Sequence, residues 1–455
     1  MISDRLAKRI GPAFFFCAAA LFAQGTGSIA IHNARVVPVS GPAIDRGTVV
    51  LRNGLIEAVG ANVTLPADAW VIEADGLTVY PGLIDALSTL GIPGAAPATG
   101  GRGGPAPGAA PTAAPATPPA RGPEDRPMTT SWIRAADLVR PTDRRLETAR
   151  AAGFTTSVTF PDRGIFAGQG AVVDLAGDNA GQMIVADNAG EYVALTANGF
   201  GGGFPNSLMG VISYVRQVYL DAEHYRAAKQ FYSTHSRGSQ RPDYDRALEG
   251  VLDSPRVLLP ATRRIDVDRM LRFAQDLRLN ALLYGLPEGY RSADLLKKAN
   301  AAALVNLHWP EPERDADPES PDALQVLEVR DQAPSTPAML ARSGVKFALY
   351  TGGFERRADF LRSLQRATEA GLAPEDALRA LTLWPAEIYG VADRLGSIEP
   401  GKIANLVVTK GDLLQDGTQV KYVFVDGAKF EPVEEAAPAS RPDAATPAAP
   451  QEGNR

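Results

Sequence analysis

The chain of 455 residues contains one cysteine and four histidines, and it has no lysine between Lys8 and Lys229. Cys17 lies in the first apolar stretch, so the rest of the chain has no thiol and can form neither a disulfide nor a catalytic thiolate. Few imidazoles are available for a metal, and His224 and His235 lack the i, i+4 spacing that pairs ligands on a helix. The apolar run near the start is too short for the ~20 residues that a bilayer span needs. A formal charge of −6 excludes nucleic acid as the main partner, because phosphate binding requires a concentrated basic surface.

Apolar residues at 45% and charged residues at 22% describe an ordinary globular protein, long enough for a large domain with something attached. Arg5, Lys8 and Arg9, the apolar run over 13–22 and the small Ala23 read as an export signal over 1–23. Cleavage near Ala23 implies a periplasmic or secreted protein. Residues 29–80 read as short strands, with Asn53-Gly54 between alternating apolar residues as the hairpin signal. Over 94–123, Gly, Ala and Pro fill 25 of 30 positions, which reads as an insert acting either as a lid or as a plain insertion.

From about 132 the chain alternates helix and strand. A helix over 133–151 precedes a strand over 154–160, and a β-rich excursion over 168–185 interrupts before a strand over 192–196. Regular apolar strands then fall at 256–260, 281–284, 303–307 and 345–350, separated by amphipathic helices. That rhythm predicts an α/β fold, a parallel TIM-like (β/α)8 barrel. Strand-like segments return at 395–398, 404–409 and 420–427, before an Ala/Pro-rich tail over 431–455.

The opening AIHNARVVPV…GTVVLRNGLIEAVG…VIEADGLTVYPGLIDA resembles the start of amidohydrolase-superfamily enzymes, especially the imidazolonepropionase-like secreted group. The stretch ALRALTLWPAEIYGVADRLGSIEPGKIANLVVTKGDLL resembles their end. The resemblance implies that 24–80 and 394–430 build one small composite β-domain beside a barrel over 81–393. It also implies hydrolysis of non-peptide C–N bonds by water on zinc or another divalent metal.

The ligands are where the resemblance breaks. The His-x-His that should follow PGLIDA stands as Leu87 and Thr89, and the bridging Lys or Glu has no counterpart before Ala197-Asn198. Thr262 and Gly285 stand near the two later His positions, and Gly352 where an Asp is expected. Without a metal to lower its pKa from 15.7 to about 7, water is no nucleophile at neutral pH. No cofactor is therefore expected. The remaining candidates are His308 with Glu311 and Glu313 as an acid/base group or a structural His beside a loop, and Arg263, Tyr284 and His308 as a ligand pocket. Two functions follow. One is a non-catalytic protein that binds a small molecule or joins a homo- or hetero-oligomer with an intact amidohydrolase. The other is a divergent C–N hydrolase with a relocated site.

Overall fold

The computed structural model describes residues 27–94, 122–197, 203–312, 322–354 and 356–432. The segment over 1–23 read as an export signal, most of the insert and nearly all of the tail lie outside them. The first strands are β1 (Ile29–Val36), β2 (Ile44–Arg52), β3 (Leu55–Gly60), β4 (Trp70–Glu73), β5 (Thr78–Pro81) and β6 (Leu83–Ser88). Then come α1 (Ala135–Leu138), α2 (Arg145–Ala151), β7 (Phe154–Thr159), β8 (Phe166–Asp174), α3 (Ala180–Met183) and β9 (Ile184–Val193). The regular part holds α4 (Leu208–Thr234), α5 (Arg246–Asp253), β10 (Val257–Ala261), α6 (Arg264–Asp276), β11 (Ala281–Gly285), α7 (Ala293–Ala299) and β12 (Ala303–Asn306). It continues with α8 (Leu324–Gln332), α9 (Thr336–Ser343), β13 (Phe347–Tyr350), α10 (Arg357–Glu369), α11 (Pro374–Ala380) and α12 (Leu383–Tyr389). The last strands are β14 (Leu406–Lys410), β15 (Gln419–Val425) and β16 (Ala428–Phe430).

Both chain ends make one sheet, in the order β16-β15-β14-β5-β1-β2-β3 with β4 on β1. Its apolar face gathers Ile31, Val49, Leu51, Val79, Leu406, Val408 and Phe424. The β2–β3 turn takes positive φ at Asn53 (52°) and Gly54 (78°), the geometry that keeps a tight hairpin in step with strand twist. The segment over 395–398 forms no strand; Ile398 instead donates its N–H to Pro38 O at 3.1 Å and packs into the same core.

The second sheet is the barrel wall, in the order β6 to β13. Every neighbouring pair is parallel except β7–β8 and β8–β9. The stretch read as an excursion is thus part of the wall, with β8 running against its neighbours. Only the four-residue α3 lies between β8 and β9, too little for the crossover that a parallel pair needs. The single helix expected over 133–151 is two, α1 and α2, because Pro141 lacks an N–H and disfavours helix in the residue before it.

An outer apolar layer joins the wall to the helices, and an inner one fills the barrel. Tyr389 of α12 enters the inner layer and donates its hydroxyl to Ala86 O at 2.7 Å. Asn405 joins the two sheets, since its carbonyl accepts Gly82 N–H at 2.8 Å while its Nδ2 donates to Asp174 at 2.7 Å. No helix among the described residues is long and apolar enough to cross a membrane.

Candidate functional site

In a barrel, side chains able to reach a substrate come from the C-terminal ends of the strands. β6 delivers Leu87 and Thr89 to that end. Leu87 is buried in the inner apolar layer. Thr89 is buried and engaged by Arg145 of α2, whose Nη1 donates to Thr89 Oγ1 at 3.0 Å and whose Nη2 donates to Thr89 O at 2.9 Å. Asp143 anchors this guanidinium at 2.7 Å. A permanent cation therefore lies against Thr89, and it would repel a divalent ion there.

The other ligand positions carry no better donors. Thr262 is exposed beyond β10, and its carbonyl accepts Glu288 N–H at 3.3 Å. Gly285 ends β11. Gly352, beyond β13, has φ +65°, a left-handed conformation, and a Cβ built there would lie 2.6 Å from Asn306 Oδ1. Among the described residues no group of three or more His, Cys, Asp and Glu converges. Donor chemistry and geometry here do not fit the metal that the resemblance implies.

Aromatic rings line the interior below these positions. Phe160 lies 5.9 Å from Tyr192, and Tyr192 lies 5.1 Å from Tyr284, ring centre to ring centre. Tyr350 is buried in the same layer. Tyr284 donates its hydroxyl to Val193 O at 3.1 Å. Burial raises the phenols of Tyr192, Tyr284 and Tyr350 above their ordinary pKa, so they titrate far from neutrality.

The remaining sequence candidates each have a partner elsewhere. His308 is exposed and stacks on Phe354 with ring centres 5.0 Å apart, while its backbone N–H donates to Asn306 Oδ1 at 2.8 Å. Glu311 is 76% exposed and stands 3.9 Å from Arg366; Glu313 lies outside the described residues. Arg263 precedes α6, its N–H donates to Asp266 at 3.1 Å and its guanidinium pairs with the same carboxylate at 3.2 Å, while Arg264 pairs with Asp294 at 2.9 Å. Tyr284 points into the barrel, whereas Arg263 is exposed and turned to its own helix. His32 lies in the composite sheet with Nδ1 2.9 Å from Thr48 Oγ1, and His235 stacks on Phe231 at 4.5 Å.

Among the described residues four buried acids escaped the sequence reading, Asp85, Asp174, Glu191 and Glu288, and the first two have well-defined partners. Asp85 of β6 accepts Thr351 N–H at 3.0 Å and its hydroxyl at 2.6 Å across the seam between β6 and β13. Burial pushes its pKa up to about 6. Asp174, at the end of β8, accepts from Thr156 at 2.9 Å and Asn405 at 2.7 Å, and burial pushes it up to about 7. A lone carboxylate inside an apolar strand was the available signal for Asp85.

The profile of the amidohydrolase family matches residues 276–429. A solved amidohydrolase from Thermotoga maritima is 26% identical, with 89% of this chain and 100% of that one covered and a TM-score of 0.72. A prolidase solved with N-methylphosphonate-L-proline is 16% identical over 89% of this chain and 100% of its own, with a TM-score of 0.53, a likeness of fold. An adenine deaminase from Moorella thermoacetica is 42% identical over 64 residues, 14% of this chain. The matched segment spans only 10% of that deaminase.

Proposed function

The chain belongs to the amidohydrolase superfamily, and from that premise we propose that this member works by binding, without metal-activated hydrolysis. The observation that carries the reading is Arg145 on Thr89: a guanidinium fixed by Asp143 lies against the residue that, by the resemblance, stands for the second ligand of the first strand. Leu87 beside it is a packing residue, and Gly352 supplies neither ligand nor base. The protein then uses the fold as a partner of an intact relative or as a small-molecule binder, exported through the leader over 1–23. A relocated hydrolytic centre has less support, because Glu311, Arg263 and the ring of His308 each have a different neighbour.

The test is elemental analysis after equilibration with zinc, manganese and nickel, run beside a screen of amide, lactone and dipeptide hydrolysis. Less than about 0.1 equivalent of retained metal and no metal-dependent turnover are expected. One equivalent held through gel filtration, with turnover lost on chelation, would overturn the reading.

A further inference from the structure

Beside the barrel mouth, between the ends of β6 and β13 and helices α2 and α10, lies a cavity of about 280 Å³. We propose that it binds a compact, neutral aromatic molecule of indole size. Thr89 and Arg145 stand in its wall, so the proposal rests on the reading of this chain as a binding protein and names the class of its ligand.

The body of the ligand follows from the walls. Leu90, Ala149, Ala152, Phe154, Phe354 and Phe360 line the space. Phe154 and Phe360 meet edge to face, 5.1 Å between centres and 65° between planes, and Phe354 is held by its stack on His308. At ~30 Å³ per water molecule the volume equals about nine waters, which such walls hydrogen-bond poorly. An apolar cavity of ~150 Å³ suffices for benzene, so this one has room for a second ring. The phenylalanine rings favour an aromatic filling over an aliphatic one.

The charge of the ligand follows from what the ionic groups in the walls already do. Arg145 is held by Asp143, and Arg356 by Asp359 at 2.9 Å. Both oxygens of Asp85 accept from Thr351. Arg357 donates its Nη1 to Thr418 O at 2.6 Å and its Nη2 to Leu413 O at 3.1 Å, while its Nε is buried and out of a ligand's reach. The charges of Asp85 and Arg357 are opposite, so together they leave little net field across the space. Every charged side chain in the wall is thus engaged. An ion would shed its water on entering and find no free partner to replace it. A neutral ring system leaves all of these bonds in place.

Calorimetric titration of the full chain with indole, indole-3-acetate and tryptamine tests the assignment. Indole should saturate at one per chain, and the anion and the cation should each bind at least about tenfold more weakly. Thr148→Trp is the blocking variant. Thr148 is exposed on α2 and lines the cavity, so a large apolar side chain there fills the space and disturbs none of the bonds above. Phe354→Leu keeps the wall apolar but removes a ring, and it should weaken indole by about threefold or more. Loss of binding in Thr148→Trp with an unchanged melt supports the site. Equal affinity for all the probes, binding indifferent to Thr148→Trp, or no saturation at millimolar indole overturns it. Retained metal with turnover would overturn the binding reading itself, whereas a failed titration of metal-free, inactive protein would overturn the ligand class alone.

Discussion

A Cβ placed on Gly352 would lie 2.6 Å from Oδ1 of Asn306. The backbone at Gly352 is left-handed, with φ +65°, which side chains other than glycine's adopt at a cost. Asn306 is itself engaged, since its Oδ1 accepts the N–H of His308 at 2.8 Å. A side chain at position 352 has no room unless that of Asn306 moves and gives up the bond from His308 N–H.

Gly352→Asp should therefore destabilise the protein by about 1–3 kcal/mol, through left-handed strain and displacement of Asn306. Combined with Leu87→His and Thr89→His, it should still give no zinc-dependent hydrolysis, because Arg145 remains beside position 89. Urea unfolding and an amidase screen with zinc read the two effects. Metal-dependent turnover by the triple variant would show that residue identity alone had silenced the mouth.

Asp85→Ala should cost about 2–4 kcal/mol, since it leaves the buried N–H and hydroxyl of Thr351 without their acceptor. The two residues are 266 apart in sequence and join the first and last barrel strands. The loss should appear as an earlier urea midpoint. A variant as stable as the wild type would show that the seam is held by packing alone.

Asp174 has a larger effect on pH dependence than Asp85, and the buried Glu191, also raised by burial, acts in the same direction. Burial raises its folded pKa from 3.8 to about 7, so the folded state holds its proton over a range where the unfolded chain has released it. Its contribution is complete below pH 3.8, falls as pH rises to about 7 and is then constant, up to about 4 kcal/mol across the window. Asp85 acts in the same direction up to about pH 6. Melting temperature should thus fall from pH 4.5 to 7. Asp174→Asn should flatten the slope while its carbonyl still accepts from Thr156 and Asn405. An unchanged slope would exclude Asp174 as its source.

The barrel rhythm was legible because apolar strands such as 281–284 recur between helices with one apolar face. The hairpin at Asn53-Gly54 was legible because its residue types match its φ values. Strand direction was not: the residues of β8 alternate alike whichever way the strand runs, and only the missing crossover helix betrays it. The individual absences at 87, 89 and 352 could be read from sequence, but not the arrival of Arg145 from α2 or the clash at Asn306. Asp85 stood beside the family's motif and was passed over because it lies two residues before the positions where ligands were sought.

Truncation at residue 393 should leave an aggregating chain. It removes β14, which pairs with β5 from Leu406↔Pro81 to Thr409↔Thr78, and with it Leu406, Val408 and Phe424 from the core shared with Val49 and Leu51. Size-exclusion chromatography with light scattering checks this. A monodisperse, cooperatively melting fragment would show that the N-terminal strands are stable alone.

That central position of β14 also sets a timetable. A ribosome delivers β1 to β5 first and the strand that must lie against β5 almost last, after the whole barrel has emerged. Throughout that interval β5 offers an open edge to any passing extended segment, its own or a neighbour's. The final pairing closes the longest loop the sheet contains, a slow kind of contact to make. A chaperone that keeps the nascent chain extended until release would shorten that exposure, and a translational stall late in the message would prolong it.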